Sequence, residues 1–570
     1  MAQIVQVLRS NLSKTARNIP PLKVNHSLKF ADFEKGEAFA NHFKSVFHDR
    51  KPHCLHLPTT DNTIPLFLPT QVYDLLRFAK STTTASPDGI PSVFLKKCAL
   101  SLALPLTHIY NYSILNGVVP SKWKESIVIP IFKKGQKCLP DNYRPISLTC
   151  PTSKLIERVM TNLLRMFLIL NNIIPDSQHG FVPGKSVDTQ LLEVFNIITD
   201  NIDGKLPTDA VYVDFRKAFD TVDLPELLDK LASFNVPKDI LLWFAAFLLG
   251  RSFRVKINDT VSDSYPATSG TPQGSVSGPL LFLAFISDIP STCSVPGINM
   301  AFFADDLKVF STDVHSDTPA IQLFLDKLTD WCALNKLAVA PQKCAVIHFG
   351  PNNPKRAYKY GPTPIPIATD LRDLGIHVSD DLSWDAHVNN ISKKACGRLF
   401  QLFKTVKTND CRLLTRLFKV YVLPILEFGS AIYNPNKVSL INTIEDVQRL
   451  ATRIIYNRDP KLRSTPRPSY EDRLFHLQLK KLSTRRAVID LKFFHSILYR
   501  YSKINLSGVS FKESRTRGPK IKLSFKRAKT SVRQNAFLHR SKKQFGSLPI
   551  RIQSLEKQQD FLIAVDNFLP

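Results

Sequence analysis

The run Ala301-Phe302-Phe303-Ala304-Asp305-Asp306-Leu307-Lys308-Val309-Phe310 restricts the fold more than any other stretch of this chain. Two apolar segments flank a pair of acids, a pattern that fits two strands joined by a two-residue turn with both carboxylates at the hairpin tip. Asp is also an ordinary turn residue, so the pair taken alone fits a solvent-facing cap equally well. A second segment shifts that balance. In Ala210-Val211-Tyr212-Val213-Asp214-Phe215 an apolar strand ends on Asp214, and Arg216 to Asp220 then leads toward a helix. A carboxylate on a buried strand is costly unless it is paired or binds a metal. Asp214 brought beside Asp305 and Asp306 makes an all-oxygen site of the kind Mg²⁺ selects. Two such ions clamp the attacking hydroxyl and the leaving phosphate of an in-line displacement, so phosphoryl transfer is the chemistry the pattern points to.

Between these segments, Ser269 to Pro279 is a glycine-rich turn entering the apolar run Leu280 to Phe285. Small residues there let a substrate approach the backbone, and a helix N-terminus would favour phosphate. Alone the loop is a weak signal, because many loops before helices share its composition.

Lys and Arg outnumber Asp and Glu by 76 to 48 over 570 residues, and the surplus is uneven. Residues 401–570 hold 34 basic and 12 acidic side chains, a balance of +22 that suits a polyanion partner better than a merely solvated surface. No apolar run reaches the roughly 18 residues a membrane helix needs, and the start lacks the pattern of a signal peptide. The expectation is a soluble, intracellular protein of the nucleus or cytoplasm with no membrane partner. The nine cysteines (54, 98, 138, 150, 293, 332, 344, 396 and 411) are never spaced Cys-x-x-Cys, which suggests neither a disulfide framework nor a zinc knuckle.

Turn signals alternate with helical and strand patterns from Ser86 to about 350, as in a mixed α/β body, and 351–368 is rich in breakers. Beyond 385 the pattern turns helical. Ile444, Val447, Leu450, Ala451, Ile454 and Ile455 make one apolar face, with Glu445, Arg449 and Arg453 expected opposite it. A break at Pro466-Arg467-Pro468 precedes further helices at 471–500, and 511–543 is Lys/Arg-rich with Phe511, Phe525 and Phe537 interleaved.

The order and wording of these segments resemble the reverse transcriptases of non-LTR (LINE-type, jockey-like) retrotransposons, over roughly residues 85 to 570. The resemblance rests on Phe-Ala-Asp-Asp at 303–306, Thr-Pro-Gln-Gly at 271–274 and Val-Asp-Phe-Arg-Lys-Ala-Phe-Asp-Thr-Val at 213–222. Upstream, Pro87-Asp88-Gly89-Ile90, Asn142 to Leu148 and Gln178-His179-Gly180-Phe181 look like the fingers motifs. Downstream, Asn335 to Lys343, Leu374-Gly375-Ile376, Val422 to Glu427 and Val447-Gln448-Arg449 look like later palm and thumb elements.

The resemblance implies an α+β right-hand polymerase fold: fingers, a palm with an antiparallel sheet, a helical thumb, and a helical basic C-terminal region. The corresponding boundaries are an N-terminal extension at 1–80, fingers and palm at 81–350, a late palm element and thumb at 351–500, and a basic region at 501–570. It makes Asp214, Asp305 and Asp306 the ligands of two Mg²⁺, with Mn²⁺ as substitute. Gln273 and Gly274 would contact the incoming nucleotide, Phe219 would stand under its sugar, and Lys343 would approach the departing phosphate. Arg144, Lys154 and Arg158 are fingers contacts to the triphosphate, for each of which a surface ion pair is the plain alternative. The implied activity is RNA-directed DNA polymerase, with RNA template, DNA primer and dNTPs as partners. Only about 80 residues precede the first fingers motif, too few for the endonuclease such elements often carry, so a nuclease would act in trans. An inactive nucleic-acid-binding relic is the rival from another class. An RNA-dependent RNA polymerase is the rival within the polymerases, and Phe219 argues against it.

Overall fold

The computed structural model describes residues 19–25, 27–48, 66–83, 86–459, 468–513 and 521–569. Its centre is a four-stranded antiparallel sheet in the order Ala345–Phe349, Thr208–Val213, Asp306–Ser311, Asn299–Phe303. The sheet is covered on both faces. Val211, Phe302 and Val309 enter one core with Leu281, Phe285 and Phe324, whereas Ala210, Phe310 and Ile347 enter another with Leu191 and Phe195 of the helix Val187–Asp203. Such two-sided burial is why the strands read as nearly continuous apolar runs.

A second sheet is built on Glu125–Phe132, which pairs antiparallel with Tyr143–Leu148 and parallel with Arg251–Ile257. Thr260–Val261 and Tyr265–Ala267 both add to Arg251–Ile257. The helix Asp32–Lys44 lies on this sheet, burying Phe39 and Phe43 with Val128, Tyr143, Phe253 and Val255. Its Glu37 accepts hydrogen bonds from the Asp263 N–H and the Tyr265 hydroxyl.

Between residues 385 and 500 the chain is helical where spacing predicts it, with Asp385–Thr405, Cys411–Tyr421, Val438–Arg458, Tyr470–Leu477 and Leu482–Leu498 as the longer helices. Ile444, Val447, Ala451 and Ile455 form the buried side of Val438–Arg458. Glu445 departs from the exposed face expected of it. Its carboxylate is buried and accepts from the Leu482 N–H at 3.0 Å and from the Tyr470 hydroxyl, so it satisfies a free donor at the start of the helix Leu482–Leu498.

The C-terminal region is not purely helical. It opens with the hairpin Ser510–Glu513 and Ile521–Ser524, and helices follow from Ser531 onward. Phe545, Phe561 and Val565 pack against Phe494 and Ile497, and Phe537 is also core, so only part of the interleaved aromatic set faces solvent. Lys526, Arg527 and Lys529 stand exposed on this packed unit. Pro466, Arg467 and residues 52–65 lie outside the described residues. Among the described residues no helix is long and apolar enough to cross a membrane.

Candidate active site

Sheet register gathers the acids. Val213 pairs with Leu307, so the register carried one step further sets Asp214 opposite Asp306. Across the hairpin Phe303 pairs with Asp306, which leaves Ala304 and Asp305 as the two turn residues. The expected two-residue turn is present, with Asp305 in it and Asp306 already the first residue of the strand. Ala304 has a φ of 56°, a left-handed conformation that non-glycine residues rarely adopt.

Proximity shows in the acidities. Burial, with a smaller contribution from Asp214, raises the Asp305 carboxyl above its ordinary range. Burial and then the charge of Asp305 push Asp306 up to about 6. A donor set of carboxylates without nitrogen or sulfur fits a hard divalent cation. Among the described residues no three His, Cys, Asp or Glu side chains are drawn into a finished coordination sphere.

The wall around the acids is basic. The Arg216 N–H donates to the Ala338 carbonyl at 2.7 Å and the Ala340 N–H to the Asp214 carbonyl at 2.8 Å, which ties the segment before Lys343 to the end of the central strand. Lys343 Nζ stands 3.7 Å from Asp214 Oδ1. Lys133 and Arg144, from the five-stranded sheet, line the same cleft of about 510 Å³. Burial and then Arg144 and Lys343 depress the Lys133 ammonium, as crowded cations do.

The loop Ser269–Gly274 closes another side. Gln273 Nε2 donates to Asp220 Oδ1 at 2.7 Å, and the Gln273 carbonyl accepts from the Ser147 N–H at 2.7 Å. Burial pushes Asp220 up to about 6 against the opposing pull of Gln273. Gly274 has a φ of 109°, and a Cβ there would lie 2.8 Å from the Ser147 carbonyl oxygen, so the loop can meet the strand Tyr143–Leu148 only with glycine. Phe219 stacks on Phe282 with ring centroids 4.5 Å apart, which pins the ring on the cleft wall.

Asp214, Asp305, Phe219, Gln273, Gly274, Arg144 and Lys343 thus line one cleft, with Asp306 next to Asp305 in the strand. Lys154 and Arg158 are not brought into it. Lys154 is half-buried on the helix Pro151–Leu170, where burial lowers its ammonium, and Arg158 is exposed.

The residue of that helix that does reach the loop is Glu157. It is fully buried, and its Oε1 accepts from the Val276 N–H (2.8 Å), the Ser277 N–H (2.8 Å) and Ser277 Oγ (2.7 Å). The positive end of the helix Gly278–Phe285 is therefore filled by a carboxylate of the protein and not left open for phosphate, a correction to the expectation from the loop's composition. Buried Arg251 supplies the compensating charge. Glu157, Arg251, Lys133 and His42, another cleft residue, escape motif reading, and Asp220 stands inside a motif without a role read from it. For Glu157 a signal existed: it falls on the core face with Ser153, Ile156, Met160, Thr161 and Leu164, where a charge is out of place unless it has work to do.

Residues 131–378 match the family described as reverse transcriptase (RNA-dependent DNA polymerase). The probable RNA-directed DNA polymerase from transposon BS of Drosophila melanogaster is 28% identical over 502 residues, covering 82% of this chain and 54% of that protein. The RNA-directed DNA polymerase from mobile element jockey of the same fly is 28% identical over 375 residues, covering 61% and 39%. The chain spans about half the length, or less, of these curated relatives. Among solved structures, apo telomerase from Candida tropicalis truncated from its C-terminal domain is 12% identical, covers 50% of this chain and 60% of that one, and has a TM-score of 0.35, too distant to bear on the fold.

Proposed function

Residues 131–378 are a reverse transcriptase domain and the chain is related to the polymerases of LINE-type retrotransposons, and from that premise we propose that it extends a DNA primer along an RNA template with dNTPs. The observation that carries this reading is the cleft, which Asp214 and Asp305 line together with Lys133, Arg144, Lys343, Phe219 and Gln273, with Asp306 adjacent to Asp305 in the chain. The four-stranded sheet is the palm, the five-stranded sheet with its helices the fingers, and the helices after 385 the thumb of a right hand, followed by the basic region from 501.

Phosphoryl transfer through a loose transition state leaves the protein little covalent work, so placement and electrostatics carry the rate. Two Mg²⁺, or Mn²⁺ in their place, would be held by Asp214, Asp305 and Asp306 and would supply charge neutralisation and a more acidic primer hydroxyl. Arg144, Lys133 and Lys343 hold triphosphate oxygens by charge. Gln273, fixed through its amide to Asp220, and Gly274, pressed against Ser147, form the floor for the nucleotide. The nucleus is a fitting compartment for such synthesis.

Phe219 selects the sugar. A soft apolar wall rejects an added hydroxyl by only about 10²-fold, so useful discrimination needs a ring that cannot yield, and the stack on Phe282 supplies that stiffness. Phe219→Val is expected to raise ribonucleotide use relative to deoxynucleotide use by on the order of 10²-fold, measured as the ratio of kcat/KM for rNTP and dNTP. An unchanged ratio in a folded variant would remove Phe219 from this role.

The exposed Lys526 and Arg527 contact nucleic-acid phosphates. Because each neutralised phosphate releases counterions, Lys526→Ala with Arg527→Ala should reduce the slope of log Kd against log salt by about 2. A slope equal to wild type assigns these charges to solubility.

The reading itself is tested by extension of oligo(dT) on poly(rA) with dTTP. Synthesis that requires Mg²⁺ or Mn²⁺ is expected, and its absence from folded protein overturns the proposal.

A further inference from the structure

We infer that Gln178 is a positioning residue that sets the turn carrying Asp305, an inference that rests on the polymerase reading for its consequence but not for its geometry. The segment from Ser177 to Gly180 runs along the outer edge of the strand Asn299–Phe303. The Phe302 N–H donates to the Ser177 carbonyl and the His179 N–H to the Phe302 carbonyl, both at 2.9 Å, with Gln178 bridged parallel to Phe302. This course delivers Gln178, 2% exposed, to the hairpin turn. There its Oε1 accepts two backbone N–H groups, Gly180 at 2.8 Å and Ala304 at 2.9 Å.

Gly180 makes the approach possible. A Cβ at that position would stand 2.4 Å from the Ala304 nitrogen, so the segment and the turn touch backbone to backbone. The turn needs such a hold, because Ala304 sits in the left-handed region and a residue stays there only when its surroundings over-determine it. Gln178 pairs the one Ala304 donor, and without that acceptor a buried N–H is left unmatched.

The hold is referenced to a rigid element. His179 lies between Thr189 Oγ1 (2.8 Å) and Glu193 Oε2 (3.1 Å) of the helix Val187–Asp203. The same helix reaches the second strand of the hairpin, where Gln190 Oε1 accepts from Lys308 Nζ at 2.6 Å. Both arms of the hairpin are thereby registered to one helix. Asp214 sits on a different strand, so any drift of the turn moves Asp305 and Asp306 relative to it. A displacement of about 1 Å at reacting groups can cost about 10²-fold in rate.

The experiment compares Gln178→Met, which keeps length and volume but loses the acceptor, with Gln178→Glu, which keeps an acceptor oxygen. Three quantities are read: hydrogen exchange of amides 299–310 in the protein alone, the split between kcat and dNTP KM in RNA-templated extension, and primer–template Kd. For Gln178→Met, exchange at the turn is expected to rise about tenfold or more and kcat to fall about 10- to 100-fold, with KM and Kd within about twofold of wild type. Gln178→Glu should recover most of both. Wild-type exchange at the turn in Gln178→Met overturns the inference, whatever the rate. So does equal failure of both variants with a lowered melting temperature, which marks a merely structural role. If wild type extends no primer, the polymerase reading falls, and the exchange data still decide whether Gln178 holds the turn.

Discussion

Asp305→Asn is expected to lower RNA-templated extension by on the order of 10⁴-fold while leaving the melting temperature at or above that of wild type. The two halves of this result share one cause. Asp305 occupies the turn beside Asp306, which the register sets across from Asp214, and its carboxyl is raised by burial and by Asp214. Charge there is unfavourable for the folded protein by itself and valuable only to a bound cation. Asparagine keeps the side chain's size and removes the repulsion, so folding does not suffer while the cation loses a ligand. Asp214→Asn should behave alike, with primer–template affinity nearly unchanged. Extension by either variant near the wild-type rate would sink the assignment, and so would a loss of activity that merely follows a loss of fold. Extension kinetics beside thermal melting on one preparation check both halves.

The second large effect falls on stability. Glu157→Ala is expected to destabilise the protein by about 3–5 kcal/mol, read from urea unfolding. Its Oε1 is the acceptor for two backbone N–H groups and the Ser277 hydroxyl, and truncation leaves these donors buried and Arg251 without its opposite charge. Burial raises the Glu157 carboxyl even so, which says that its charge is less comfortable there than in water. Deleting the side chain is worse than keeping it, because the donors stay behind. Gly274 and Gln273 lie just upstream of Val276, so the nucleotide floor should loosen as well and dNTP KM should rise. A cost below about 1 kcal/mol would mean that water replaces the carboxylate without penalty.

The acid cluster is legible in the sequence for a physical reason. A two-residue turn between apolar runs allows one hairpin pairing, a period of two fixes which side chains share a face, and Asp214 at a strand end is costly unless it shares a cation with the other acids. Phe219 and the Thr271–Gly274 loop are likewise marked by their place in motifs. Of the basic wall, the resemblance marks Arg144 and Lys343 but not Lys133, since the three come from one sheet and a late segment and no local pattern encodes that meeting. Lys154 and Arg158 mislead for the same reason: they lie within a turn of Glu157 on one helix, yet the helix turns Glu157 toward the loop, not them. Gln178 stands inside a motif without a visible role because its partner is the backbone of Ala304, which leaves no trace in side-chain chemistry. In the basic C-terminal region, expected to be helical, lysine content hides the short hairpin strands Ser510–Glu513 and Ile521–Ser524.

The most direct test of the central claim is to give the full chain an RNA template of defined mixed sequence, a short complementary DNA primer, all four dNTPs and Mg²⁺, and to sequence the extended primer. A DNA strand complementary to the template, formed by wild type and not by Asp305→Asn, is the predicted result. Untemplated addition, or no extension by folded wild-type protein, would contradict the account.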